Sequence, residues 1–401
     1  MNKETEKLLD QLVSQLGNKA DLLKAQEQLF KRGVEALLKS ELTVHLGHEP
    51  NEKGDGKKTN TRNGHSSKTL KTQSGEVLIQ VPRDRAGTFD PVAVQKHKKM
   101  SEEIEDAILL LYAKGMSTND ISDFIERTYG VGYSKSSISL ITESLLTDIR
   151  EWQNRPLEDI YPIVWIDGIH YKIRENGQVK SKACLIILGV NKDGQQDILG
   201  LQIYEAESAS VWMQMFENLR QRGVKDILYL CSDNLKGLDQ AVEAIFPQSI
   251  RQICIVHQVR NSLKCVSYKD RRSIIKDIKS IYKADSEDQA QKALEDFRGK
   301  WGGKYQLVIK SWENNWSNLV PFLSAPAEIR RLIYTTNIIE SFNASLRKYT
   351  KNKKVFPNDD AAIKSIYLAA MQIREKWQKQ RYAWPQILNQ FLVLFPERIK
   401  L

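Results

Sequence analysis

The segment between residues 156 and 260 constrains the fold most, because its hydrophobic pattern changes period several times. Strand-like apolar runs, rich in β-branched residues, are predicted at 162–167, 182–190, 197–204, 226–231 and 250–256. A helix-like stretch, SASVWMQMFENLRQRG, separates the third run from the fourth, and another, NLKGLDQAVEAIF, separates the fourth from the fifth. Three consecutive strands followed by alternating helices and strands predict an α/β domain with a mixed sheet covered by helices.

Two of the strand-like runs end in an acidic residue. The run PIVWID ends at Asp167, before Gly168, and DILYLCSD ends at Asp233, before a predicted helix. Taken singly, Asp167 can be a turn residue and Asp233 can cap the following helix. If the two strands are neighbours, the two carboxylates lie side by side, and paired oxygen ligands of this kind attract a divalent cation.

A third acidic residue, Glu340, lies in the helical stretch TTNIIESFNASLRKYTKNKK, where it shares a face with Asn343. By itself it can be an ordinary solvated helix residue. Basic residues follow it, and we expect them to contact DNA: Arg347, Lys348, Lys351, Lys353 and Lys354. An acidic residue that holds metal, followed by cations that hold a nucleic-acid backbone, suits a site that acts on a phosphodiester.

The residues before the sheet are predicted to form helices and a basic hairpin. Residues 3–46 show helical periodicity and are interpreted as a helical bundle or dimerisation unit. The polar segment 48–71 is predicted to be a loop or linker, and it leads into a hairpin that turns at Ser74 and Gly75. Its basic residues either contact phosphates or lie in solvent: Lys57, Lys58, Arg62, Lys68 and Lys71.

Two further helices are predicted on either side of the turn sequence YGVGY, residues 129–133. The second helix would begin near Ser134, with Ser134, Lys135 and Ser136 in a polar first turn. A short turn that contains glycine, followed by such a helix, is typical of a helix-turn-helix unit whose first residues contact DNA. Any pair of packed helices is the alternative.

Composition narrows the class of protein without identifying it. The 401 residues carry 60 Lys and Arg against 50 Asp and Glu, and the net charge of +10 is compatible with a polyanionic partner. Four cysteines are too few for a disulfide framework in a chain of this length. Because neither a bilayer-spanning apolar stretch nor a signal peptide is present in the sequence, we expect a cytoplasmic protein with no membrane partner.

Several motifs agree, in their order along the chain, with one known family. They are NTRNGHSSKTLKTQSGEVLIQVPRDRAGTFDP, WIDGIHYKIRENGQVKSKACLIILGVNKDGQQDILGL, SDNLKGLDQAVEAIFPQSIRQICIVHQVRN and TTNIIESFNASLRKYTKNKKVFPN. On these motifs the chain resembles the Mutator-like bacterial transposases of the insertion-sequence 256 group, from about residue 25 to about residue 390.

The resemblance implies a ribonuclease H-like catalytic domain whose acidic triad is Asp167, Asp233 and Glu340, with an all-helical insertion before the last acid. We expect the triad to bind two Mg²⁺ or Mn²⁺ ions. The family also carries a Cys-x-x-His signature, here Cys254 and His257. His257 is interpreted as a structural residue or as one that lies near the DNA. A zinc site that also uses Cys231 and Cys265 is the alternative.

The resemblance further implies the biological setting of such a protein. The partners would be double-stranded DNA, as terminal inverted repeats and as target, and a second copy of the chain in a homodimer or larger transpososome. The DNA would be copied through a circular intermediate, in a bacterial cytoplasm and in association with the nucleoid. Two other classes stay open: a sequence-specific DNA-binding regulator, and a stand-alone metal-dependent DNA nuclease.

These expectations divide the chain into six regions. They are a helical dimerisation or DNA-binding region (1–47), a basic linker and β-hairpin that contact DNA (48–100), a helix-turn-helix-like DNA-binding domain (101–155), the first part of the ribonuclease H-like core (156–256), the all-helical insertion (257–332) and the C-terminal helices of the core (333–401). Trp301, Trp312 and Trp316 of the insertion are interpreted as core residues, with stacking on an unpaired base as the alternative.

Overall fold

The chain divides into two compact units. The computed structural model describes residues 3–50, 60–72, 75–94, 102–130, 132–377 and 383–399. The first unit comprises Met1–Tyr112 and Met116–Glu143, and the second comprises Ala113–Gly115 and Ser144–Leu401. No helix in the described ranges combines the length and the apolarity that a membrane crossing needs.

The first unit contains helices and one two-stranded hairpin. Its elements are α1 (Lys3–Ser14), α2 (Lys19–Leu46), β1 (Arg62–Thr72), β2 (Gly75–Asp84), α3 (Glu102–Ala113), α4 (Thr118–Tyr129) and the start of α5 (Lys135–Asn154). The helices predicted on either side of the YGVGY turn are confirmed as α4 and α5. The loop predicted over 48–71 is wrong from Arg62 onward, because β1 pairs with β2 and the hairpin packs on Leu38 of α2.

The second unit is built on a five-stranded mixed sheet. Its strands are β3 (Ile160–Glu175), β4 (Gln178–Val190), β5 (Gln196–Tyr204), β6 (Asp226–Ser232) and β7 (Ile250–Ile253). Their order across the sheet is β5-β4-β3-β6-β7. The first three strands along the chain pair antiparallel, whereas β6 pairs parallel with both β3 and β7. The predicted mixed sheet and its order of elements are confirmed.

Strand β3 continues well past Asp167, so the strand end predicted there is wrong. Ile166 is its last residue paired with β6, and the strand then continues in register with β4 alone. Gly168 does not break the strand. A Cβ at this position would lie 2.6 Å from Oε1 of Glu207, so the glycine allows the Glu207 side chain to approach the β3 backbone closely. The strand ends at the two-residue turn of Asn176 and Gly177, both with positive φ.

Helices cover both faces of the sheet. The α6 (Ala209–Gln221) and α7 (Leu238–Ile245) helices pack on the face that carries Val164 and Ile166. The opposite face carries Trp165 and Ile169, and is covered by α14 (Asn337–Thr350), α15 (Asp359–Trp377) and α16 (Trp384–Leu394). Because side chains alternate along a strand, Asp167 lies on the same face as Trp165, toward α14.

Helices alone connect β7 to α14. They are α8 (Ile255–Lys264), α9 (Tyr268–Tyr282), α10 (Glu287–Trp301), α11 (Gln306–Asn314), α12 (Trp316–Leu319), a 3-10 helix (Pro321–Ser324) and α13 (Ala327–Ile333). Strand β7 is shorter than predicted because Cys254 is already the N-cap of α8. Trp312 is buried in the core of this helical segment, and Trp301 and Trp316 pack against it while partly buried.

We expect the change Gly194→Ala to destabilise the second unit by roughly 3 kcal/mol. Gly194 has a φ of +79°, and an added Cβ would lie 2.3 Å from Cγ of Trp384, a fully buried side chain of α16. Gly177→Ala is the matched control, because Gly177 has a φ of +80° but open space around its Cβ position. The control change therefore adds only backbone strain, about 1 kcal/mol. Urea unfolding measures both; equal losses would contradict the predicted clash.

Candidate active site

The two aspartates lie at adjacent positions on neighbouring parallel strands. Asp233 follows β6 directly, and Asp167 is the residue after the last β3–β6 pair, Ile166 with Ser232. The adjacency of the two strands, on which the pairing of these carboxylates depended, is confirmed. Asp233 does not cap the next helix, since the N-cap of α7 is Gly237 and no side chain bonds to that helix end.

Asp167 is largely buried and accepts two hydrogen bonds. Its Oδ1 accepts from the backbone N–H of Gly168 at 2.8 Å, and its Oδ2 accepts from Nδ2 of Asn343 at 2.6 Å. Burial and then the nearby negative charge of Asp233 raise the pKa of Asp167 to about 6, against the lowering effect of these hydrogen bonds. Burial, and then the neighbouring Asp233 carboxylate, thus outweigh the hydrogen bonds that Asp167 accepts.

His257 lies between the second and third acidic residues. Its Nδ1 is 2.5 Å from Oδ1 of Asp233, and its Nε2 is 3.0 Å from Oε1 of Glu340. Hydrogen bonds to Asp233 and then to Cys254 raise the pKa of His257 to about 10, so the imidazole is protonated and donates from both nitrogens. One ring thus joins the end of β6 to the first turn of α14, where Glu340 lies.

Arg260, one turn further along α8, adds a second cation at this place. Its Nη1 is 3.2 Å from Oε1 of Glu340 and 3.0 Å from Nε2 of His257. Because Nε2 of the imidazolium already carries a proton, Arg260 donates to the Glu340 carboxylate and its contact with His257 is a close approach only. Glu340 thus faces two cations, His257 and Arg260.

Cys254 completes the immediate surroundings of His257. Burial favours the neutral thiol, but hydrogen bonds from His257 and Thr336 outweigh it and lower the pKa of Cys254. Ligand atoms of Asp233, Cys254 and His257 all lie within 4.8 Å of one another. Within the described ranges neither Cys231 nor Cys265 joins this group, so the zinc alternative built on those two cysteines is not formed.

The three acidic side chains offer the donor chemistry that a hard divalent cation prefers, but in the described residues their oxygens do not all lie within 4.8 Å of one another. Asp167, Asp233 and Glu340 offer carboxylate oxygens, the ligands that Mg²⁺ and Mn²⁺ prefer. Asn343, only 3% exposed, has a buried Oδ1 that finds no hydrogen-bond partner among the described residues, although its Nδ2 binds Asp167. A buried acceptor without a donor beside crowded carboxylates is the arrangement that a cation, or water bound to one, would satisfy.

The basic residues predicted after Glu340 lie on or just beyond α14. Arg347, Lys348, Lys351 and Lys354 are exposed, as phosphate contacts require. Lys353 differs from them, because it is partly buried above the ring of Phe356, 5.6 Å from the ring centroid. Burial and then the charge of Lys364 lower the pKa of Lys353 to about 8.

The predicted DNA contacts of the first unit are distributed over two elements. Arg62 begins β1 and donates to Oγ1 of Thr43 at 2.9 Å and to the carbonyl of His48 at 2.8 Å, while Lys68 is partly buried in the same strand. The hydroxyl of Ser134 accepts from the N–H of Ser137 at the start of α5. The exposed residues of that turn are Ser134, Lys135 and Ser136. Lys57, Lys58 and the turn residue Ser74 lie outside the described residues.

Sequence reasoning assigned no role to three residues that the structure brings into the site. Asn343 lies three residues after Glu340 on one helix face, and that spacing is the signal that the sequence offered; its burial is seen only in the structure. Arg260 lies one helical turn after His257, a spacing that places both on one side of α8. Thr336 carried no signal, because its contact with Cys254 depends on how α8 and α14 pack.

Comparison with known proteins places the whole chain in one family. The model of the Mutator transposase family matches residues 1–380. The chain is 42% identical over 397 residues to the transposase for insertion sequence element ISRM3 of Rhizobium meliloti, covering 98% of each chain. Identity is 34% to the IS905 transposase of Lactococcus lactis (88% of this chain, 89% of the other) and 30% to the IS256 transposase of Staphylococcus aureus (85% and 88%). The chain therefore belongs to the Mutator family of transposases.

Proposed function

We propose that this protein is an insertion-sequence transposase that binds the terminal inverted repeats of its element, nicks the DNA and joins the freed 3′-hydroxyl to a second phosphodiester. The proposal rests on one observation above the others. Three acidic residues are distant in sequence; Asp167 and Asp233 lie at adjacent positions on β3 and after β6, and His257 links Asp233 to Glu340 of α14. Such a group is suited to metal-dependent cleavage of a phosphodiester.

The Asp167, Asp233 and Glu340 carboxylates are the residues that would hold two Mg²⁺ or Mn²⁺ ions. When bound, ions of this kind activate a hydroxyl nucleophile and stabilise a leaving oxygen. Asn343 holds Oδ2 of Asp167 in place through its 2.6 Å hydrogen bond. Arg260 is more than half exposed beside Glu340 and can donate to a phosphate oxygen.

The fold supports the same proposal. We infer that the sheet is ribonuclease H-like, because its order is β5-β4-β3-β6-β7, with three antiparallel strands first and parallel strands after them. On this interpretation α8 to α13 are the all-helical insertion, and the six sequence regions keep the roles expected above. The α4–α5 pair would be the helix-turn-helix unit, with Ser134, Lys135 and Ser136 exposed at the start of its second helix.

DNA binding would use the exposed cations beyond Glu340. Arg347, Lys348, Lys351 and Lys354 would hold the backbone of the strand that enters the site. The protein would act on duplex DNA as a homodimer or larger assembly, through a circular intermediate, in the cytoplasm and in association with the nucleoid. Contacts to the inverted repeats would come from the N-terminal regions.

The test is an assay on DNA that carries the element's own ends. Purified protein is incubated with end duplexes and Mg²⁺ or Mn²⁺, and nicks and strand joints are mapped on sequencing gels. We expect nicks at the element boundary, joined products that need a free 3′-hydroxyl, and neither in EDTA. Nicks without joints would indicate a stand-alone nuclease, and equal binding in EDTA without cutting would indicate a regulator; either result would overturn the proposal.

A further inference from the structure

A basic cleft lies beside the acidic site, within the second unit. It has a volume of about 770 Å³ and is formed by α8, the end of α9, the 3-10 helix and the end of α13. This volume falls within the roughly 300–1,000 Å³ of ligand pockets. Arg260 belongs to both places, since it lines the cleft and also contacts Glu340 at 3.2 Å. A strand bound at the carboxylates would therefore pass the mouth of this cleft.

Cations line the cleft from three of its four elements, α8, α9 and α13. Its cations are Arg260, Lys279, Lys283, Arg330 and Arg331, and none of the described Asp or Glu residues lines the cleft. In the described part of the chain, Arg260 is the one cation of this set that forms a salt bridge. The Nε of Arg330 is buried and has no hydrogen-bond partner among the described residues, although its Nη2 donates to the carbonyl of Leu323. The lining therefore favours an anionic occupant.

The apolar part of the lining is aromatic as well as aliphatic. Tyr282 and Tyr334 are partly exposed in the cleft, and the ring of Phe322 lies 6.2 Å from that of Tyr334. The tryptophans of the helical segment do not line the cleft. Aromatic rings beside cations are the surface on which proteins stack unpaired bases while they hold the phosphates.

We propose that this cleft binds an unpaired nucleotide of the DNA strand that runs through the acidic site. The base packs against Tyr334 and Tyr282, and the flanking phosphates contact Lys279, Lys283 and Arg331. The proposal rests on the proposed function, and it identifies the form of DNA that the site accepts: a strand with at least one base out of the duplex.

The test uses fluorescein-labelled oligothymidylate and a duplex of the same length, in EDTA, with fluorescence anisotropy as the readout. For Lys279→Glu we expect about tenfold weaker binding of the single strand and a shallower salt dependence. Lys269→Glu is the matched control: it makes the same charge change at an exposed position of the same helix, about 15 Å from Lys279 and outside the cleft, and should change affinity less than twofold. For Tyr334→Ala we expect a loss of about tenfold with an unchanged salt slope, while Tyr334→Phe retains binding.

Two outcomes would overturn the proposal. One is an equal effect of Lys269→Glu and Lys279→Glu, which would show a general charge effect. The other is an equal loss of single-strand and duplex binding in Tyr334→Ala, or no loss at all, which would show that the ring contacts no base. Because no cleavage is measured, these results are separate from the nicking assay. The binding assay can therefore support or contradict the cleft proposal whether or not the carboxylates are found to cut DNA.

Discussion

Asp167→Asn is expected to abolish DNA nicking, by about 10³-fold or more, while binding to element ends stays within a few-fold of the unchanged protein. The substitution removes one of the three carboxylates that would hold the metal ions, and it leaves the exposed cations beyond Glu340 in place. Nicking is measured on end duplexes with Mg²⁺ or Mn²⁺, and binding by anisotropy in Ca²⁺. A variant that still nicks at near the original rate would contradict the assignment.

The same substitution is expected to stabilise the protein at pH 7 in EDTA. The pKa of Asp167 rises from 3.8 to about 6 on folding. Above pH 6 the carboxylate is charged in both states, and ionising it costs more free energy in the folded state than in the unfolded state, which lowers stability. That cost is present at pH 7 and is lost as the pH falls through 6 toward 4. A neutral Asn removes this cost, for a gain of roughly 3 kcal/mol. Thermal unfolding at pH 7 and pH 5 measures the gain, which should be smaller at pH 5.

The local hydrogen bonds can survive this substitution. The Oδ1 of an Asn side chain at position 167 would accept from the N–H of Gly168, as the carboxylate does. Its NH₂ group would then meet Asn343, whose unpaired Oδ1 can turn to accept it. The turn places Nδ2 of Asn343 where its unpaired Oδ1 was, so one buried amide atom lacks a partner after the substitution, as before it. The number of unpaired buried groups does not rise.

Asp233→Asn is the matched control for the sign of this effect. It should also abolish nicking, but it removes the main hydrogen-bond partner of His257. A raised pKa of about 10 in the folded state means that His257 contributes stability below pH 6.5, and that this contribution is lost as the pH rises through 10. Asp233→Asn should therefore lower stability at pH 7, where Asp167→Asn raises it. Equal stability changes in the two variants would contradict the charge distribution described here.

The order of strands and helices was predictable from the sequence because hydrophobic period is a local property. The extent of β3 was not, because Gly168 looks like a strand breaker until Glu207 is seen beside it. Local pattern also gave no support for β1 before Ser67, since that part of the hairpin is polar and is held by pairing with β2. Errors of this kind arise where tertiary contacts outweigh local preference.

The acidic residues were individually predictable, but their geometry was not. A carboxylate at the end of an apolar run is visible in the sequence. The adjacency of β3 and β6 is a long-range pairing, which a local hydrophobic pattern does not predict. Glu340 was visible as an acid followed by cations on a predicted helix, and the resemblance to a family assigned it to a triad with the two aspartates. The position of His257 between Asp233 and Glu340 depends on the packing of α8 against α14, which only coordinates show.

Asn343→Ala is expected to reduce nicking by about 10- to 100-fold and to raise the Mn²⁺ concentration needed for half-maximal rate by a similar factor. On the proposed function Asn343 is a positioning residue: its Nδ2 donates to Oδ2 of Asp167 at 2.6 Å and would thereby set the direction of a carboxylate that holds metal. Ser341→Ala, an exposed position on the same helix, is the matched control and should change neither quantity.

The metal requirement separates positioning from a merely structural role. Asn343 is 3% exposed, but its Oδ1 has no partner among the described residues, so truncation to Ala removes one hydrogen bond and also one unsatisfied acceptor. The net loss of stability should therefore be small, about 1 kcal/mol. If Asn343 only supports the packing of α14 on β3, unfolding experiments will show a larger loss and the Mn²⁺ requirement will not move. If it orients Asp167, isothermal titration of Mn²⁺ will show weaker binding in a protein that is still folded.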